Sequence, residues 1–129
     1  MQKNGRTARG LQSWRKGHRN EWLAALLLMI KGYQILGFRL KTPDAEIDIL
    51  ARKGAYLVVA EVKSRSRREL AELSLLPDQQ DRLLRAAGRM CRSRPSLSGL
   101  TPRLDLVAFA PGRLPRHHRN LMNSGLAQF

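Results

Sequence analysis

The sequence predicts a single α/β domain, with a central mixed β-sheet flanked by α-helices. Three observations predict it. Two segments, near residues 17–31 and 78–92, carry apolar residues in helical patterns. Between them lie short runs rich in apolar residues that suit strands, and one further such run follows the second helix at 104–110. At 129 residues the chain is long enough for one proper core and short for two.

The first helix is expected from near Gly17 to Lys31 and is closed by Gly32, a residue suited to the left-handed position after a helix end. Its apolar residues cover nearly the whole circumference, so the helix should be buried on more than one side, and a second subunit is one way to cover it. Tyr33 to Leu40 reads as the first strand and Thr42-Pro43-Asp44 as a turn. Two runs with the character of buried strands follow, Ala45 to Leu50 and Leu57 to Lys63, joined by Arg52-Lys53-Gly54-Ala55 as a tight hairpin connection. A second helix spans roughly Asp78 to Arg92, Arg94 to Pro102 is a loop, and Leu104 to Ala110 is the last strand. Residues 1–14 then form a flexible basic arm, 15–122 the domain and 123–129 a tail.

Asp48, Glu61 and Lys63 stand inside the two hairpin runs, where an unpaired charge is costly to desolvate. Alternation places Leu57, Val59, Glu61 and Lys63 on one face. A pivot near Lys53 and Gly54 sets Asp48 opposite Val59 and on that same face; diagonal Cβ atoms about 7–8 Å apart let two carboxylates converge on one ion. A slip of one residue would move Asp48 to the other face. The chemistry that uses such a group is phosphodiester hydrolysis. Mg2+ (or Mn2+) is held by one or two carboxylates, here Asp48 and Glu61, with water and phosphate oxygens completing the shell. Lys63 orients or deprotonates the attacking water, or stabilises the charged phosphate.

Asp48, twelve intervening residues and Glu61-Val62-Lys63 resemble the PD-(D/E)xK nuclease superfamily, which includes many restriction endonucleases and the archaeal Holliday-junction resolvases. The flanks resemble the YraN-like family of bacterial proteins. The matching segments are Gly17-x-x-x-Glu21-x-x-Ala24, Gly32-Tyr33-x-Ile35-Leu36, Glu46-Ile47-Asp48-Ile49-Leu50-Ala51, Glu61-Val62-Lys63-Ser64-Arg65, Arg82-Leu83-x-x-Ala86-Ala87 and Arg103-Leu104-Asp105-Leu106-Val107. The resemblance covers roughly residues 15–121. It implies a restriction-endonuclease-like core, metal ligation by Asp48 and Glu61, a catalytic role for Lys63 and a supporting acid at Glu21; a surface pairing of Glu21 with Arg15 or Arg19 is the other reading of that residue. Two positions depart from the pattern. Ala45 stands where relatives usually carry glycine, and Asp78-Gln79-Gln80-Asp81 replaces a stretch that tends to hold a basic residue.

With 24 Lys and Arg against 10 Asp and Glu, the formal charge is +14, which favours a polyanionic partner. Residues 1–20 hold six Lys or Arg and no acid, so the arm either follows a phosphate backbone or stays a solubilising tail. Arg65, Arg67 and Arg68 form a basic run at the mouth of the site, and Arg82, Arg85, Arg89 and Arg92 share one quadrant of the second helix. These are the candidate nucleic-acid contacts, with a solvated surface as the alternative. His117 and His118 are expected at the surface or on phosphate, and Asp105 as a structural acid or a support to the site.

One cysteine, Cys91, excludes an intrachain disulfide and reads as a core residue. The nine apolar residues from Trp22 to Ile30 are too few for a membrane span, which takes about 20. A soluble cytoplasmic protein with no membrane partner is expected. The function that accounts for both charge and carboxylates is a divalent-metal-dependent endonuclease acting on DNA, including branched or structured DNA, and a two-fold dimer suits symmetric cutting. A catalytically inactive nucleic-acid-binding module of the same fold is the alternative. A basic RNA- or ribosome-associated protein explains the charge but not the carboxylates.

Overall fold

The computed structural model describes residues 19–121; the basic arm and the C-terminal tail lie outside them. The chain runs through a helix α1 (residues 19–30), strands β1 (Gln34–Lys41), β2 (Glu46–Lys53) and β3 (Tyr56–Ser64), helices α2 (Arg68–Leu73) and α3 (Pro77–Ser93), a short 3-10 turn (Pro95–Leu97), and strands β4 (Thr101–Phe109) and β5 (Arg116–His118). The five strands form one mixed sheet in the order β1-β2-β3-β4-β5. Only β3 and β4 are parallel, because the α2–α3 crossover returns the chain to the same end of the sheet before β4 starts. This is the α/β layout expected, consistent with a restriction-endonuclease-like core.

Each face of the sheet carries its own apolar cluster. Leu83, Ala86, Ala87 and Met90 of α3 pack on Leu50, Leu57, Val59, Leu104 and Leu106, whereas Ala24, Ala25 and Leu28 of α1 pack on Ile49, Ala51, Val58, Ala60 and Val107. The start of α3 is marked by Pro77 in the first turn, where its missing N–H costs nothing. The end of α1 is set by Gly32 at φ +92: Tyr33 N–H donates to Leu28 O and Gly32 N–H to Met29 O, the paired bonds of a Schellman end. Cys91 is half-buried at the margin of the α3 cluster.

The outer side of α1 remains apolar and uncovered. Trp22 is 64% exposed and Ile30 75%, and Trp22, Leu23, Leu26 and Met29 line a groove of about 430 Å³ with Ile35 and Phe38 of β1. The expectation of burial on a second side therefore finds the apolar face but no cover for it within the described residues.

Three expectations need correction. The hairpin turns through Gly54 and Ala55, not Lys53 and Gly54, with Gly54 at φ +58 in the first central position, where a type II′ turn takes glycine. Leu50, not Asp48, consequently lies opposite Val59. Arg68, expected only as part of the basic run, begins the helix α2, and the strand at 101–109 is followed by a further short strand, β5.

Candidate active site

The corrected register is displaced by two residues, an even shift that leaves the parity of the strand unchanged. The hairpin pairing runs as far as Ile49–Ala60, and Asp48 and Glu61 are the next residues along the two strands. The Asp48 carboxylate accepts a 2.9 Å bond from the Val62 N–H, which fastens it to β3 between the other two members of the motif. Lys63 Nζ lies 3.9 Å from Glu61 Oε2, too long for a good hydrogen bond but close enough to act as a charge. The structure thus gathers Asp48, Glu61 and Lys63 at one place, where the pairing of β2 and β3 ends.

Glu61 is 6% exposed, and its Oε1 is buried with no hydrogen-bond partner. Burial first and the neighbouring Asp48 charge second push its carboxyl up to about 8, and Lys63 offsets only part of this. Burial also raises Asp48, against the pull of the Val62 amide and of Lys63. Lys63 approaches only Oε2 and leaves Oε1 orphaned, so the pair does not overcome the cost of burial. Two carboxylates facing each other with one orphaned oxygen form a donor set that suits a small hard cation. Among the described residues no three His, Cys, Asp or Glu side chains are placed to hold a metal, so water, main chain or phosphate would complete the shell.

A cavity of about 220 Å³ opens beside Glu61, lined by Asp44, Ala45, Glu46, Gln79, Arg82 and Leu83. Both departures from the family pattern meet here. Ala45 closes a turn in which the Thr42 hydroxyl donates to Ala45 O and accepts from Ala45 N–H, and it has no positive φ, so the turn does not require glycine. Gln79 reaches the cavity without a charge, but Arg82, one helical turn on, lines the same wall.

Glu21 sits elsewhere than expected. It projects from α1, which covers the opposite face, and both its oxygens are held by Arg39 of β1: Nε donates to Oε2 at 3.0 Å and Nη2 lies 2.9 Å from Oε1. Among the described residues this ion pair is with Arg39; Arg15, one of the two partners expected, lies outside them. Arg39 itself is in the left-handed region at φ +51, a conformation that costs a non-glycine residue about 1–3 kcal/mol and concentrates at functional positions. No sequence signal singled this arginine out.

Comparison with known proteins fixes the family. Residues 20–109 match a model described as "Uncharacterised protein family UPF0102". The chain belongs to the UPF0102 family. It is 52% identical over 112 residues to a UPF0102 protein of Caulobacter vibrioides, covering 87% of this chain and 90% of that one. It is 46% identical over 115 residues to a UPF0102 protein of Parvibaculum lavamentivorans, covering 89% and 86%, and 43% identical over 110 residues to one of Chelativorans sp., covering 85% and 89%. These matches run through the whole Asp48–Lys63 hairpin, in agreement with the YraN-like resemblance of the sequence.

In this UPF0102 chain the seven candidate arginines divide into groups. Arg82 faces the Glu61 cavity. Arg85 and Arg92 lie along a separate open groove with Gly88 and Pro102, and Arg89 is engaged with Asp44 at 2.8 Å. Arg65 donates to Ser64 O and remains exposed. Arg67 and Arg68 line a cleft of about 370 Å³ with Arg113, beyond the carboxyl ends of the parallel strands β3 and β4.

His117 overturns its surface reading, whereas the His118 side chain stays 34% exposed. The His117 side chain is almost completely buried, its Nε2 2.9 Å from Asp105 Oδ2 and its Nδ1 2.9 Å from Lys31 Nζ. Lys31 can only donate, so Nδ1 accepts and the Nε2–H donates to Asp105. Asp105 also accepts from Tyr33, from Arg103 and from the Asn120 amide, and Arg103 donates to the Tyr33 hydroxyl. His118 pairs with Glu72 of α2, which also holds Arg116. Both histidines therefore tie β5 to its surroundings, and Asp105 is the structural acid that was expected.

Proposed function

We propose that this protein is a divalent-metal-dependent endonuclease that hydrolyses DNA phosphodiester bonds, with branched or otherwise structured DNA among its substrates, in the cytoplasm. The observation that carries the reading is the orphaned, buried Oε1 of Glu61 facing Asp48. A protein gains nothing in stability from a second carboxyl left without a partner in such a place. Mg2+ or Mn2+ held by Asp48 and Glu61 would acidify a bound water and neutralise charge on the phosphate.

The chain's own residues do the rest. The Val62 N–H keeps the Asp48 carboxylate turned toward Glu61. Lys63, on the same strand face as Glu61, holds the attacking water and supplies a fixed positive charge as the phosphate gains its fifth oxygen. Arg82 stands at the cavity wall and binds a phosphate oxygen, while Arg67 and Arg68 take the backbone beyond the strand ends. Cutting of labelled linear and branched DNA in Mg2+ or Mn2+ tests this. Glu61→Gln, which keeps shape and removes charge, should lower cutting by about 10²–10³-fold or more, the scale of losing a principal electrostatic group. DNA binding that persists while the wild type cuts nothing in either ion would select the inactive binding module.

The partner at the uncovered face of α1 is, in the same reading, a second copy. Trp22, Leu23, Leu26 and Met29 form one continuous apolar groove, and a two-fold axis sets such a face against itself while pairing two cutting sites. Sedimentation across a range of concentrations should show a dimer that Leu26→Glu dissociates. A monomer throughout would remove the second copy from the proposal.

A further inference from the structure

We propose that Arg39, clamped by Glu21, is a positioning residue that aims Asp48 at Glu61. The inference rests on the Asp48–Glu61 site being the working centre, and it starts from a break in strand alternation. In a regular strand, residues two apart share a face. Phe38 packs with the α1-side cluster, yet Leu40 packs with the α3-side cluster. On the neighbouring strand Ile49 belongs to the α1 side and Ile47 to the α3 side. The pairs Phe38–Ile49 and Leu40–Ile47 flank a single row, and that row is Arg39 across from Asp48.

Both strands thus roll over at the same place. The left-handed backbone of Arg39 is where β1 accommodates the roll. It lets the hairpin serve two cores at once, and it leaves Asp48 at the crossover, between the α1 side and the α3 side. From there Asp48 holds the Val62 amide, Glu61 is its neighbour on β3, and Arg39, its neighbour on β1, contributes a favourable positive charge.

Glu21 completes the arrangement. It is 8% exposed, and its two oxygens take the Nε and Nη2 of Arg39 in a fork. A carboxylate with both oxygens engaged by a bidentate arginine is a poor metal ligand and a good anchor. The fork ties α1 to the row, so the acid on the first helix reaches the site through Arg39. A lysine would keep the charge of residue 39 and lose the fork.

The test separates positioning from folding. Arg39→Gly keeps the backbone comfortable at φ +51, since glycine adopts that region freely, and removes the side chain with its guanidinium. Glu21→Gln leaves the guanidinium and removes its clamp. The first readout is hydrogen exchange of the Val62 amide, whose acceptor is Asp48. It should accelerate by at least about tenfold in both variants, as expected for loss of a bond to a charged group, while other amides of the β3–β4 pair hold their wild-type rates. The second readout is cutting: kcat should fall with KM nearly unchanged, and Arg39→Lys should recover part of it.

Unchanged Val62 exchange in both variants would overturn the proposal. So would acceleration spread evenly over β3 with a matching loss of the denaturation midpoint, because that is what a purely structural ion pair would give. Arg39→Lys guards against a glycine variant that does not fold. If the wild type cuts no DNA, the nuclease reading fails, while the Val62 readout still decides whether Arg39 aims Asp48.

Discussion

Two buried acids on adjacent parallel strands show opposite solutions to the same problem. Asp105 of β4 is completely buried, and Glu61 of β3 nearly so. Asp105 is surrounded by donors: Arg103, Tyr33, His117 and the Asn120 amide all reach its oxygens, and together they outweigh burial and hold its carboxyl down at about 2. Glu61 has another carboxylate for a neighbour, a lysine at 3.9 Å and one oxygen with nothing, and its carboxyl is pushed up to about 8. The protein spends its donors on the first and withholds them from the second. Burial alone therefore does not mark a working acid; burial without satisfaction does.

The largest expected effect breaks the satisfied side. Asp105→Asn removes the charge that Arg103 and His117 are built around and leaves a buried guanidinium uncompensated. Removing one partner of a buried pair costs about 3–5 kcal/mol, so the denaturation midpoint should fall steeply. Glu61→Gln should behave in the opposite way at neutral pH. It replaces an unfavourably buried acid with a neutral group of the same shape, so stability should hold or rise in the absence of divalent ions. Equal destabilisation by the two substitutions would erase the contrast, and urea titrations of both variants in a chelating buffer measure it.

Much of this contrast was legible, and the illegible parts share a cause. Asp48, Glu61 and Lys63 stand out because charge in an apolar, strand-like run is a local anomaly, and Gly32 ends its helix by a local conformational need. The hairpin register missed by two residues because Arg52 to Ala55 offers several turn positions; the strand parity survived because the error was even. Arg39 carries no local mark. Its left-handed backbone is sustained by Glu21, eighteen residues away, and by cores on both sides of the sheet. His117 looked like a surface residue because its partner Asp105 is brought to it by the β4–β5 pairing, and its other neighbour Lys31 lies 86 residues away. The helix α2 has six residues, too few to declare itself through periodicity, and is fixed by burying Ala71.

The smaller effect, a dependence of stability on pH, sharpens the comparison because the two acids must give slopes of opposite sign. Asp105 has a folded value of about 2, below its ordinary 3.8. Its contribution is present above 3.8 and is lost as pH falls toward about 2, and Asp44 and Glu72, also lowered by their cationic partners, act in the same direction. Glu61 is raised from 4.5 to about 8. Between those values the folded state keeps a proton that the unfolded state has released. Its contribution is therefore complete below 4.5 and is lost as pH rises through about 8. Denaturation midpoints measured without divalent ions should decline as pH rises through that window, from 4.5 to about 8, in the wild type and flatten in Glu61→Gln. Added Mn2+ should reverse the decline, because an ion taken by both carboxylates displaces the Glu61 proton and binds the folded state alone. A decline across that window that persists in Glu61→Gln would mean that the unsatisfied acid lies elsewhere, and the distinction between the two buried carboxylates would have to be redrawn.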